Sequence, residues 1–136
     1  MAETRSKNLP VSKHFGQTRK IIGLLQIITA ADEIFNHVDE GLPMWTGSGD
    51  RSVTVDIVFV RSFKEAPEVA VAIIGMDCDH TTNQRYWLKA TNIKTTGFTL
   101  EFSTWGDTRI SRAGASWQAI GKARVDPVAA KDATMK

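Results

Sequence analysis

The sequence has one cysteine, one tyrosine and three histidines. A single thiol, Cys78, excludes an intrachain disulfide framework and a cysteine pair for zinc. Cys78 reads as a buried or half-buried apolar residue. His14, His37 and His80 have no serine or cysteine beside them in a nucleophile motif, so no catalytic residue is assigned. Charge of one sign is also scarce. Seventeen basic residues stand against fifteen acidic ones, a net charge of +2. Lys and Arg are scattered, and no basic run alternates with aromatics, which argues against a nucleic-acid partner. Long apolar runs are missing. IIGLLQII, Ile21 to Ile28, is too short to span a bilayer, and no membrane insertion is expected. Met1 to Lys20 is polar and shows no secretory signal, but a mature secreted chain would look the same, so the compartment stays open.

What is present is enough for one domain. The chain has 136 residues, 42% of them apolar, which supports a single core. Residues 1–17 are polar and aperiodic and read as a flexible or loosely docked arm. Residues 123–136 are small and charged, with Pro127 among them, and read as a disordered tail; a short helix over Val128 to Ala133 is the alternative. The domain proper is expected at residues 18–122.

Within that domain β signals dominate. Ile21 to Ile28 fits a strand or, continued through TAADEIFNHV, a helix with Ile27, Ala31, Ile34 and Val38 on one face; the two stay open. Val53, Val55, Ile57 and Phe59 alternate with partners on the other face. VAVAII, Val69 to Ile74, is apolar on both faces and suggests a central strand. Tyr86, Leu88 and Ala90 share one face, and Arg85, Trp87 and Lys89 the other. Phe98, Leu100 and Phe102 face in, with Thr99, Glu101 and Ser103 facing out. GDTRISRAGA reads as a connection, and Ser116 to Gly121 as the last strand. Short strands at regular turn spacing predict an antiparallel sandwich or barrel.

Two side chains stand out chemically. Arg85 opens a strand after a polar loop. Trp105 ends the FTLEFST strand and by alternation falls on the wet face. An Arg fork satisfies hydroxyls two at a time, and an indole covers the apolar face of a pyranose. The plain alternatives are a surface Arg paired with Glu101 or Asp107, and a Trp at an interface between subunits. Trp117 reads as core, Trp45 as a cap at the sandwich end, and Trp87 as a candidate intersubunit contact. Asp77, Asp79 and His80 have some look of a metal loop, but carboxylates capping backbone N–H groups account for them more simply. No metal and no cofactor are expected. Asp50 and Arg51 fit a turn Asp and a structural ion pair. Carboxylates at Asp77, Asp79, Glu101 and Asp107 show no spacing that selects a glycosidase pair.

MWTGSGDR (Met44 to Arg51), DCDHTTNQR (Asp77 to Arg85), TGF (Thr96 to Phe98), TWGDTRI (Thr104 to Ile110) and SWQAIG (Ser116 to Gly121), in that order and spacing, resemble the H-type lectin domain. This is the N-acetylgalactosamine-binding module of snail agglutinin and of the C-terminal part of the discoidins; short bacterial proteins built on it look most alike. The resemblance runs from about Ile21 to Gly121. It implies an all-β, six-stranded antiparallel β-sandwich that assembles as a homo-oligomer, trimer or hexamer. It implies a carbohydrate site between neighbouring subunits, with Arg85 and Trp105 as the aligned contacts. It also implies an acid and a backbone N–H from the glycine-rich loop, for which Asp50 and Gly49 stand nearest. Gly106 replaces a sugar-contacting His, which removes a side chain and opens the pocket floor, and Asp107 is a second source of the acid. The expected function is a non-enzymatic lectin that reads terminal N-acetylgalactosamine or galactose glycans multivalently. The competing expectation is a structural or adhesion trimerisation module that has lost the sugar, with Arg85 and Asp107 reduced to an intersubunit ion pair.

Overall fold

The structure, a computed structural model, describes residues 15–125. The expected arm over residues 1–14 and the tail over residues 126–136, with its alternative helix, lie outside the described residues. Seven strands and two single-turn helices follow in order: β1 Thr18–Ile22, β2 Leu25–Asn36, α1 His37–Glu40, α2 Pro43–Thr46, β3 Arg51–Val58, β4 Glu68–Cys78, β5 Trp87–Thr91, β6 Gly97–Thr104 and β7 Ile110–Lys122. They form two antiparallel sheets. One has the order β1-β2-β7-β4, the other β3-β6-β5.

Alternation along the strands makes the core. β3 turns Val53, Val55 and Ile57 inward, and β6 turns Phe98, Leu100 and Phe102. From the facing sheet β7 contributes Ala113, Ala115, Trp117 and Ala119, and β2 contributes Ile28 and Ala30. The alanines of β7 leave room for the large rings opposite. Trp117, only 2% exposed, meets Phe98 edge-on at 5.3 Å and Phe59 at 5.8 Å. Each fully buried side chain of this size contributes roughly 1.5–3 kcal/mol. Phe15 is buried too. Gln17 fixes the lead into β1, donating to the Val58 carbonyl and accepting from the Val60 N–H, both at 2.8 Å.

The structure corrects the sequence reading in three places and settles one alternative that the sequence left open. The sandwich has seven strands where six were expected, because the Ile21 to Ile28 run is broken into a hairpin. Gly23, at φ 61°, supplies the left-handed residue of a two-residue turn between paired Ile22 and Leu25. TAADEIFN is strand, not helix: β2 pairs with β7 from Leu25↔Lys122 to Asn36↔Arg112, and that ladder outweighs a weak helical period. The VAVAII run lies in an edge strand, since β4 pairs only with β7 within the sheet. It is apolar on both faces because its outer face, Ala70, Ala72 and Ile74, is exposed and apolar. Finally, the expected connection before Ser116 is strand from Ile110 onward.

Candidate functional site

The register of the β3-β6-β5 sheet sets the site. Arg51 pairs with Thr104, and Trp87 with Ser103. One step beyond the ladder the Gly49 N–H donates to the Gly106 carbonyl at 2.9 Å, which carries the β3–β6 register on to the loop. On the β5 side the Thr104 hydroxyl donates to the Arg85 carbonyl. Asp50, Trp105 and Arg85 therefore fall side by side across the end of the sheet. Each is two residues from an outward-facing position: Ser52, Ser103 and Trp87. Trp105 is 41% exposed, as its place on the wet face requires.

Arg85 is half-buried and anchored. Its Nη1 donates to Asp107 Oδ1 at 2.6 Å and to the Thr108 hydroxyl at 3.0 Å. Thr108 is itself buried and donates to the Asn83 carbonyl. Among the described residues nothing accepts from Nη2 or Nε, so part of the fork is unspent. The ion pair with Asp107 forms within one chain, as the plain reading of Arg85 had it and not across subunits as in the non-binding alternative. Gly106 explains how it fits. At φ 69° it is in the left-handed region, and a Cβ there would stand 3.0 Å from Arg85 Nη1 and 3.1 Å from its Cζ. The floor that glycine opens is thus covered by the guanidinium itself.

Arg51, read from sequence as half of an ion pair, does something else. It is 3% exposed and donates to five carbonyls, those of Pro43, Met44, Gly47, Gly49 and Gly106. Burial pushes its guanidinium below the usual range. Among the described residues no carboxylate shares it, and Asp50 stays exposed beside it. Alternation turns Arg51 inward, so the side chain ties the glycine-rich loop to Gly106 from beneath. A sequence signal existed: an Arg at an inward strand position among glycines has few partners except backbone oxygens.

The second loop is stabilised likewise. Asp79 Oδ1 accepts from the Thr81 N–H at 2.9 Å and its hydroxyl at 2.7 Å, and Oδ2 accepts from Arg109 at 3.0 Å. The Thr81 amide first, then its hydroxyl, hold the Asp79 carboxyl below the usual carboxylate range, with Arg109 adding to them. The carboxylate is spent on capping. Arg109 also donates to the Trp45 carbonyl at 2.9 Å and stacks over its ring at 4.2 Å. Cys78 is half-buried, and burial, then Asp77, pushes its thiol up.

His37 has a structural role that its sequence context does not signal. It is buried, and its Nδ1 accepts from the Met44 N–H at 3.1 Å, holding α2 against α1. Burial lowers its pKa to about 4, so the ring is neutral at pH 7.

Comparison with known proteins bears on the family and the fold. The chain is 44% identical over 93 residues to the ATP synthase subunits region ORF 7 protein of Fuscovulum blasticum, covering 68% of this chain and 81% of that one. It is 39% identical over 66 residues to a discoidin-1 polypeptide of Dictyostelium discoideum, covering 48% of this chain and 26% of that one. Recombinant discoidin II of the same organism superposes with a TM-score of 0.64 at 22% identity, over 77% of this chain and 40% of that one, a likeness of fold. The chain thus spans about a quarter of the discoidin-1 polypeptide and well under half of the discoidin II chain. The model of the H-type lectin domain matches residues 54–120, from within β3 to near the end of β7. With this match, these relatives and this sandwich together, the chain belongs to the H-type lectin domain family.

Proposed function

We propose that the protein is a lectin whose sugar site is the row Asp50, Trp105 and Arg85, completed by Gly49, Gly106 and Asp107. The observation that carries this is the half-spent Arg85 fork, fixed by Asp107 and Thr108 beside an exposed indole. Membership of a lectin family supports carbohydrate binding and not catalysis. In the proposed complex Arg85 donates from Nη2 and Nε to adjacent hydroxyls, and a carboxylate, Asp107 or Asp50, accepts from one of them. Trp105 covers the apolar face of the ring. No metal enters this scheme. A terminal N-acetylgalactosamine or galactose, with its hydroxyls on one side and an apolar patch on the other, is the proposed ligand.

A site this open is weak alone, and the proposed remedy is repetition on a homo-oligomer, a trimer or two paired trimers. Support comes from the outer face of the β1-β2-β7-β4 sheet. Thr29, Ala31, Ala70, Ala72 and Ser116, with the exposed Gln118 beside them, border a shallow trough of about 550 Å³ there. The exposed Ile74 lies on the same face. The non-binding alternative, a trimerisation module, is favoured by one observation, that Asp107 already takes part of the fork. The test is a glycan array with the intact protein beside Arg85→Ala. The lectin reading expects signal on N-acetylgalactosamine- or galactose-terminated glycans that the variant loses. Arg85 is only half-buried and its partner Asp107 is exposed, so the variant should stay folded with a loss of about 1 kcal/mol. Equal signals from both proteins would remove Arg85 from the site, and no signal from either would favour the non-binding module.

A further inference from the structure

We infer that the site reads a glycan chain through at least two residues, with Trp87 as the platform for the second sugar. This rests on the lectin reading above. Trp87 is the most exposed aromatic side chain among the described residues, at 61%. It opens β5 two residues beyond Arg85, the spacing at which alternation returns to the same side, and its cross-strand partner Ser103 lies two residues before Trp105. The two indoles are therefore one strand step apart, ~7 Å along the sheet, a step comparable with the length of one pyranose.

The surroundings suit a sugar better than a protein partner. Ser103 is flanked on its other side by Ser52, and the next row back is Lys89, Glu101 and Thr54. Lys89 and Glu101 pair at 3.8 Å. An exposed indole bordered by hydroxyls and a charge pair offers an apolar face with hydrogen-bonding groups at its rim, the demand a second pyranose makes. A protein interface would bring apolar neighbours, and those lie on the opposite sheet, around Ala70, Ala72 and Ile74. Continuity fixes the order: the terminal residue rests on Trp105 and Arg85, and the next residue extends along the outer face over Trp87 and Ser103.

The test is isothermal titration of the intact protein with methyl N-acetylgalactosaminide and with the strongest array di- or trisaccharide ending in the same residue. Wild type, Trp87→Ala and Arg85→Ala are compared, and native mass is recorded for each. We expect wild type to prefer the oligosaccharide by about 5–10-fold, the effect of one aromatic face. Trp87→Ala should lose that preference and keep its monosaccharide affinity and its mass, whereas Arg85→Ala should lose both ligands. An oligosaccharide preference that survives Trp87→Ala overturns the inference and leaves the lectin reading standing. So does the absence of any preference in wild type. A change of native mass in Trp87→Ala assigns the indole to a contact between protomers and overturns it too. No binding of either sugar by wild type overturns both.

Discussion

At the scale of single residues, two arginines divide the work. Arg85 is on the surface, partly spent on Asp107 and Thr108, with donors left over. Arg51 is buried and wholly spent on carbonyl oxygens. Their chemistry is the same, and the difference is their side of the sheet. Arg51→Met should destabilise the fold by about 2–4 kcal/mol, because buried carbonyls lose their donor. A urea midpoint measures this. Sugar affinity should fall as well, although Arg51 faces away from the ligand, since it holds Gly49 against Gly106. Unchanged affinity in a folded Arg51→Met would show that the loop keeps its shape without it. Arg85 and Trp105 were legible in the sequence from residue type and alternation. For Arg51 only its inward strand position among glycines was legible; which backbone oxygens it binds, from Pro43 to Gly106, was not, because backbone acceptors carry no residue-specific mark in a sequence.

At the scale of elements, the short helices are stapled to the sandwich by side chains. The side chain of Asn36 caps α1 by accepting from the Asp39 N–H, and Gly41, at φ 65°, ends that helix. Pro43 then starts α2, whose Met44 N–H binds His37. That bond needs a neutral imidazole. The unfolded chain takes up the proton near pH 6.5, and the folded one only near pH 4. Stability is therefore full above pH 6.5 and falls as the pH drops from there to about 4, by at most about 3 kcal/mol. Thermal melts between pH 7.5 and 4.5 should show the decline, and His37→Asn, which keeps an acceptor without titrating, should flatten it. An unchanged slope in that variant would place the titration elsewhere. Strand identity was readable where one face is clearly apolar, as in β3 and β6. It stayed undecided for β2, where a helical period coincided with residues whose partners on β7 lie over seventy positions away.

At the scale of the molecule, the two sheets have outer faces of opposite character. The β3-β6-β5 face is polar apart from its indoles and the exposed Val58 at the far end of β3. The β1-β2-β7-β4 face carries Ala31, Ala70, Ala72 and Ile74. The proposed assembly assigns sugar to one and neighbouring protomers to the other, in place of the site between subunits that the resemblance implied. Ala72→Arg would place an unpaired charge in the proposed contact, so its native mass by light scattering should drop to that of a single protomer. Binding to a surface dense in glycan should then weaken by ~10²–10⁴-fold, while affinity for a free monosaccharide holds. A variant that keeps both its mass and its surface binding would move the contact to another face.

The sequence by itself determined the alternation that makes a sandwich, the wet position of Trp105 and the dry one of Trp117, and the motif order that identifies the family. These follow from local period and residue type. Only the tertiary structure decided that Ile21 to Ile28 folds into a hairpin and that VAVAII lies at an edge. It alone brought Asp50, Trp105 and Arg85 into one row and turned Arg51 beneath them. Those facts depend on cross-strand register and on backbone acceptors, which are set by long-range pairing and by no run of residues in the chain.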